Sequence, residues 1–407
     1  MQTLITMAWR NLWRNKRRTL ITLSSVFLAV FLALIMRAWQ LGTYRKMVHD
    51  VVRSYSGYIQ IHGRGYWENK TLEYSFQQSD TLTGLLKMTR GVAALIPRLE
   101  SFALASGSEQ TKGVMVVGID AQSEQKLTEM ASRVYAGDYL AENDLGVLVA
   151  EKLAAFLNVT VGDTLILLSQ GYQGISAAGK YPIHGLVHFA SPQLNSQLVF
   201  MSLPLCQDFF GAENRITSLA LDLDNSQLTA KITAVLQQHL LKSDYEVMPW
   251  DKMQVELVQQ IESDNASGLI MLGILYMIVT FGIFGTLMMM ISERRREFGV
   301  MLAIGMRKQR ILAMLSIETL IMSFIAVVLG CFASMPLIYY YAIHPPRLSG
   351  ELAKAIENFG IEPVLPFLFE PSIFIHQAWT VLIISILAAA YPLYSILKLS
   401  TVKALHQ

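Results

Sequence analysis

The chain has 407 residues, of which 53% are hydrophobic and 16% charged, and its mean hydropathy is +0.38. Soluble domains carry about 25% charged residues, so the deficit excludes intrinsic disorder and argues against an ordinary soluble enzyme. A net charge of +2 offers no general basic surface for nucleic acid. The two cysteines, Cys206 in a polar stretch and Cys331 in an apolar run, sit in different media and build neither a disulfide framework nor a metal cluster.

The first element in chain order is an uncharged run beginning at Leu20 and closed by Arg37, which can snorkel to an interface. Five basic residues and no acid precede it (Arg10, Arg14, Lys16, Arg17, Arg18). No small-residue cleavage site follows Met36, so the run reads as an uncleaved signal anchor, a first span over 20–40. Residues 267–291 carry no charge and are long enough to cross about 30 Å of hydrocarbon. Residues 311–341 are apolar apart from Glu318, and 377–397 are again uncharged.

The flanks orient these four spans. The 292–310 segment holds six basic residues against Glu293 and Glu297, whereas 342–376 holds Arg347 and Lys354 against four glutamates. The positive-inside rule then puts residues 1–19, 292–310 and 398–407 in the cytoplasm, and 41–266 and 342–376 outside. A carboxylate inside a span usually faces protein or water. Glu318 is therefore expected to face the bundle or the cytoplasmic interface and to accept bonds from the arginines of the 307–310 turn. Ala326, Gly330 and Ser334 form a small-residue line that suits close helix approach, within one chain or between two.

The outer segment 41–266 alternates as mixed α/β sequence. Strands are expected at Tyr58–His62, Val114–Ile119, Leu145–Ala150, Thr164–Leu168, Val199–Leu203 and Thr217–Leu223, with helices at Glu151–Leu157 and Leu228–Leu240. Residues Tyr245–Asp264 place Met253, Leu257, Val258 and Ile261 at helical spacing, which extends span two as a helix beyond the bilayer. The Leu41–His49 stretch continues span one in the same direction. The fold class expected is an α-helical membrane protein, one plus three spans, with a large extracytoplasmic α/β domain between the first two.

The catalytic inventory is empty. Gly174–Lys180 approaches a phosphate-binding loop, but Tyr181 replaces the metal-binding hydroxyl and strand-like sequence follows where a helix should start, so a hairpin loop is the better reading. His184 and His188, four apart in strand-like sequence, would stand about 13 Å apart, too far to share one ion. No G-x-S-x-G, H-E-x-x-H or C-x-x-C occurs.

The 292–310 segment is the most informative. Phe298, Met301 and Leu302 fall at i, i+3 and i+4, an apolar helix face bounded by cations, suited to a groove on a cytosolic protein or to the bilayer surface. The run Glu293, Arg294, Arg295, Arg296, Glu297, Phe298, Gly299, Val300, Met301, Leu302, Ala303, Ile304, Gly305 resembles the E-R-x-x-E-[IF]-G-x-x-x-A-I-G motif of the FtsX/MacB/LolC-LolE family of ABC transporter permeases. Ala8–Thr19 is similar to that family's amphipathic N-terminal helix, Glu318 to its glutamate in span three, and Tyr391-Pro392 with Ser400–Leu405 to its closing motif, with Thr401 where proline is commoner. Val117–Asp120, Ala136–Leu140 and Val161–Asp163 resemble the outer domain of the LolC/LolE and MacB type.

The resemblance implies a non-catalytic half-transporter in the bacterial inner membrane. It binds no cofactor itself; ATP and Mg²⁺ belong to a cytosolic ABC ATPase dimer on which the 293–305 coupling helix rests, with Phe298 as the inserted knob. A second permease copy or paralogue completes the assembly. The implied output is transfer of lipoprotein or lipid, delivered to a periplasmic carrier; the family also offers MacB-like extrusion and FtsX-like signalling to cell-wall enzymes. The LolC-type carrier hook is Pro-rich, whereas Gly171–Tyr181 here is Gly/Ala-rich. Membrane lipid is a partner throughout, and an acyl-chain gate between spans one and two is expected near Val30, Leu34, Met271 and Leu275.

Overall fold

A computed structural model describes residues 2–14, 16–107, 110–189, 191–240, 244–351, 353 and 364–397. The closing segment Ser400–Leu405 lies outside the described residues. The chain divides into two compact units, one of Met1–Lys46, Gln260–Arg347 and Val364–Gln407, the other of Met47–Gln259 and Leu348–Pro363.

The first unit is helical. Helix α1 (Gln2–Arg14) precedes α2 (Lys16–Val51), and the second unit's helices intervene before α8 (Val255–Glu293), α9 (Arg295–Ala303), α10 (Lys308–Ile343) and α11 (Pro371–Leu397). Among the described residues, four of these helices are long and apolar enough to cross a membrane: α2, α8, α10 and α11. Their shared core takes Val26, Val30 and Leu34 from α2, Ile283 and Leu287 from α8, Leu315 and Ala326 from α10, and Val381 and Ala388 from α11.

Ala326, Gly330 and Ser334 are buried, and a Cβ at Gly330 would stand 2.8 Å from Val30 Cγ1. The small-residue line thus serves a contact inside one chain, letting α10 approach α2. Gly330→Leu is expected to lower stability by about 1–3 kcal/mol, the usual cost of overpacking, read as a lower melting temperature in detergent.

The second unit is built on a ten-stranded sheet: β1 (Ile59–Gly63), β2 (Val92–Ser106), β3 (Thr111–Ile119), β4 (Val134–Gly137), β5 (Val147–Ala150), β6 (Thr164–Gln170), β7 (Ser176–Val187), β8 (Leu198–Ser202), β9 (Ser218–Leu223) and β10 (Tyr245–Pro249). The order is β10-β1-β9-β2-β3-β8-β5-β7-β4, with β6 joining β2 to β7. Two architectures share the 15-residue strand β2. Its first half pairs with β9 in an open sheet, Arg98 opposite Ser218; its second half closes a ring of six strands through Leu104 opposite Leu168 on β6. Helices α3 (Asp80–Met88) and α7 (Thr229–Leu240) cover one face of the open sheet, burying Leu82, Leu86, Ile232 and Leu236 against Ile59, Ile61, Leu219 and Leu221. Helices α4 (Ala121–Thr128), α5 (Glu151–Leu157) and α6 (Leu203–Phe210) complete the unit.

The expected helical extension of span two over Tyr245–Asp264 is only partly present. Tyr245–Pro249 is strand β10, Trp250–Met253 is a separate helical turn, and Gln254 breaks the helix at φ −112°, ψ 55°. Leu257, Val258 and Ile261 lie on α8, but Met253 does not. Helical spacing over 253–261 does not register a single non-helical residue, which is why the start was misplaced.

The other face of the open sheet is buried too and mixes a small apolar cluster, Ile96, Leu127 and Ala220, with polar side chains. Arg98 Nη2 and Nε donate to the Glu124 carboxylate at 2.7 and 2.9 Å, and both side chains are fully buried. His62, also fully buried, packs against the rings of Tyr66 and Trp67, with Nε2 2.8 Å from Gln60 Oε1. Burial, with help from the Lys70 ammonium, holds its pKa down from 6.5 to about 3. The unfolded chain takes a proton here below pH 6.5 and the folded chain does not, so stability falls as pH drops from 6.5 towards 3. The expected loss at pH 5 is about 2 kcal/mol, seen as a melting-temperature difference between pH 7.5 and 5 that His62→Gln abolishes.

Candidate functional site

Helix α8 ends at Glu293, and Arg294 (φ −95°, ψ 11°) breaks the chain before α9 starts. Gly305 closes α9 in the left-handed region at φ +98°, donating to the Leu302 carbonyl at 3.1 Å, and α10 follows from Lys308. The result is a nine-residue helix between two spans with two distinct faces.

The inner face carries Arg294 and Phe298, both buried, with Met301 and Leu302 half-buried against the helical core. The outer face carries Arg296, Glu297, Val300, Ala303 and Ile304, all exposed; Ile304 is 83% exposed. Glu293 and Gly305 are exposed beside it, Arg295 is half-buried and Gly299 is buried. Phe298 is therefore not a protruding knob. It sits one turn beyond Arg294 on the same side, and that side packs inward, so the apolar residues offered outward are Val300 and Ile304.

Arg294 points to Glu318 across the bundle: Nη1 lies 3.3 Å from Oε2, with both side chains buried. Its Nη2 also reaches the Asn11 carbonyl on α1 at 3.5 Å. The expected partners of Glu318 in the 307–310 turn are corrected by this: Arg307 and Arg310 are exposed, whereas Ile311, Met314, Leu315 and Glu318 form the buried stripe of α10. A small cavity lined by Thr22, Thr286, Thr319 and Ser323 adjoins the carboxylate. A second tie is exposed, with Arg14 Nη2 at 2.7 and 2.8 Å from the Glu297 oxygens. Exposed pairs of this kind are worth at most about 1 kcal/mol.

The four gate residues do not share one surface. Val30 and Leu34 are fully buried in the bundle, Leu275 is half-buried, and Met271 is 62% exposed. A span that is apolar all round has no sequence period to mark its buried side, and Gly330 draws Val30 inward. What sequence reading missed lies next to it. Arg37 Nη1 donates to Gln40 Oε1 (2.8 Å) and Asn265 Oδ1 (2.7 Å), Tyr44 donates to Asp264, and a Cβ on Gly268 would meet Gln40 Nε2 at 2.0 Å. The available signal was Arg37 and Gln40 one turn apart at the end of an apolar run.

In the α/β unit, residues 171–175 are the turn of the β6–β7 hairpin, and Gly179 and Lys180 lie within β7. The turn is tied down: Gln173 N donates to Glu73 Oε1 at 2.9 Å, and the Arg215 guanidinium stacks on Tyr172. His184 and His188 pair separately, with Asp144 and Glu151. No group of side chains suited to a metal ion occurs among the described residues.

Residues 269–401 match the FtsX-like permease C-terminal family. The lipoprotein-releasing system transmembrane protein LolC from two strains of Xylella fastidiosa, 9a5c and Temecula1, is 21% identical over 249 residues in each case. The match covers 59% of this chain, and the chain spans 59% of those relatives' length. Among solved structures, the periplasmic region of MacB from Actinobacillus actinomycetemcomitans is 17% identical, covering 53% of this chain and 98% of that one at a TM-score of 0.36. The extracellular domain of the transporter YknZ from Gram-positive bacteria is 14% identical, covering 47% and 98% at 0.34. In its four apolar helices, the α/β domain between the first two and the match over residues 269–401, the chain is similar to the FtsX/MacB/LolC-LolE permeases of ABC transporters.

Proposed function

We propose that the chain is the non-catalytic permease subunit of an ABC transporter in a bacterial inner membrane, with its N- and C-termini cytoplasmic, and that it moves lipoprotein or lipid by mechanical coupling to a separate cytosolic ATPase dimer. The observation that carries this is the outward stripe of α9, Arg296, Glu297, Val300, Ala303 and Ile304, on a helix rooted inward by Arg294 and Phe298. Two exposed aliphatics flanked by charges suit a shallow groove, the apolar pair supplying affinity and the charges register. Because α9 is anchored to α1 and α10 by side chains as well as joined to α8 by chain, a displacement of α9 is passed on to several helices together. ATP and Mg²⁺ stay on the ATPase, and a second permease copy or paralogue completes the pair.

The lipoprotein reading draws on the LolC relatives. One observation favours a second reading, extrusion of a peptide or drug across the envelope. The β6–β7 turn spans only 171–175 and is held by Glu73 and Arg215, so it offers no projecting arm with which to recruit a periplasmic carrier.

The test is Ile304→Asp. Burying a carboxylate in the ATPase groove is expected to weaken co-purification with the cognate ATPase and transport by about thirtyfold, or about 2 kcal/mol, while the melting temperature stays unchanged. Phe298→Asp should instead lower the melting temperature, because that side chain lies in the chain's own core. Normal co-purification of the Ile304 variant would overturn the docking role.

A further inference from the structure

Helices α3 and α7 lie side by side on one face of the open sheet and leave a groove between them, lined by Leu85, Met88, Leu228, Ile232 and Val235. Its walls are apolar and open to solvent: Met88 is 87% exposed and Val235 39%. Every ionisable residue that lines it is basic, namely Arg90, Lys231 and His239. Neither Arg90 nor Lys231 forms an ion pair among the described residues.

We infer that this groove is a docking site for an acidic amphipathic helix of a partner protein. Shape and charge both select that occupant. A trough between two helices receives a rod through apolar residues at i, i+3, i+4 and i+7, whereas a flat lipid surface would touch the rims and leave the floor at Ile232 uncovered. The 12 residues of α7 set the length of the trough, about 18 Å or three turns of a docked helix. The unpaired cations complement glutamates or aspartates along the edges of such a helix and disfavour basic ones. Met88 at one end adapts its shape, as methionines do where a surface accommodates apolar side chains. The groove belongs to the α/β unit and uses no residue of the α9 site, so it is separable from ATPase docking.

The experiment places a photoreactive amino acid at Val235 in the full-length chain in its native membrane, and at Val161 as an exposed control. Crosslinked peptides are sequenced by mass spectrometry. At 235 the expected adduct is a polypeptide segment of net negative charge with helical apolar spacing, absent at 161. Arg90→Glu with Lys231→Glu should reduce its yield by about tenfold or more, the scale on which a reversed charge pair acts, and Val235→Trp, which fills the trough while keeping its charge, should do the same to an adduct formed from Met88. An adduct with phospholipid, with a second copy of this chain, with no protein, or with a protein at a yield indifferent to charge reversal would each overturn the inference.

Discussion

Arg98→Leu is expected to destabilise the α/β unit by about 3–5 kcal/mol, because it leaves the Glu124 carboxylate buried with its charge uncompensated. The geometry leaves little room for relaxation. Arg98 donates to both Glu124 oxygens, donates through Nη1 to the Tyr55 carbonyl, and stacks on the Tyr55 ring at 4.7 Å. One guanidinium thus ties β2, α4 and the turn at residues 52–56 that follows α2. Glu124→Leu alone should cost about as much, since it strands the guanidinium instead. The double variant Arg98→Leu/Glu124→Leu should recover most of the loss, because two apolar side chains replace both charges; buried pairs replaced in this way are often neutral. Thermal unfolding of the four proteins in detergent gives the cycle. Additive losses in the double variant would show that the pair is not coupled.

Glu318→Leu is expected to cost a similar amount, about 3–5 kcal/mol, by removing the carboxylate that faces the buried Arg294 guanidinium. Glu318→Gln should cost less, because its amide oxygen can still accept from Nη1. The informative variant is Arg294→Met/Glu318→Leu. It should return the unfolding free energy to within about 1–2 kcal/mol of the parent, yet lower substrate-stimulated ATP hydrolysis in the assembled transporter. In that protein α9 remains joined to α8 and α10 by chain and keeps the exposed Arg14–Glu297 tie to α1, but has lost the buried links that Arg294 makes to α1 and α10. Stimulated hydrolysis at the parental level in a protein of restored stability would assign the pair to stability alone.

Much of the architecture was legible in the residues. Apolar runs and flanking charges are local, one-dimensional quantities, and a span must be about 20 residues long whatever it packs against. The runs at 20–40, 267–291, 311–341 and 377–397 accordingly fall within helices α2, α8, α10 and α11. Short strands with period-two alternation were legible for the same reason: Tyr58–His62 overlaps β1 and Thr164–Leu168 overlaps β6. Strand β2 was missed because Pro97, Arg98 and Glu100 interrupt its pattern, and those residues are accommodated only by partners far away in the chain, Thr217, Ser218 and Glu124.

The amino-acid sequence by itself determined that four segments are long and apolar enough to cross a membrane, where they lie, and that a charged short helix lies between the second and third of them. These follow from hydrophobic length and charge along the chain. Tertiary structure alone decided which face of that helix is free, Val300 and Ile304 rather than Phe298, and that Glu318 answers to Arg294 rather than to the 307–310 turn. It also decided that Val30 and Leu34 point into the bundle. The physical reason is common to all three: in segments apolar on every side, or charged at nearly every position, the periodic contrast between faces is lost. The buried face is then chosen by a neighbour, such as Gly330 for Val30 or Asn11 and Glu318 for Arg294, that is distant in sequence.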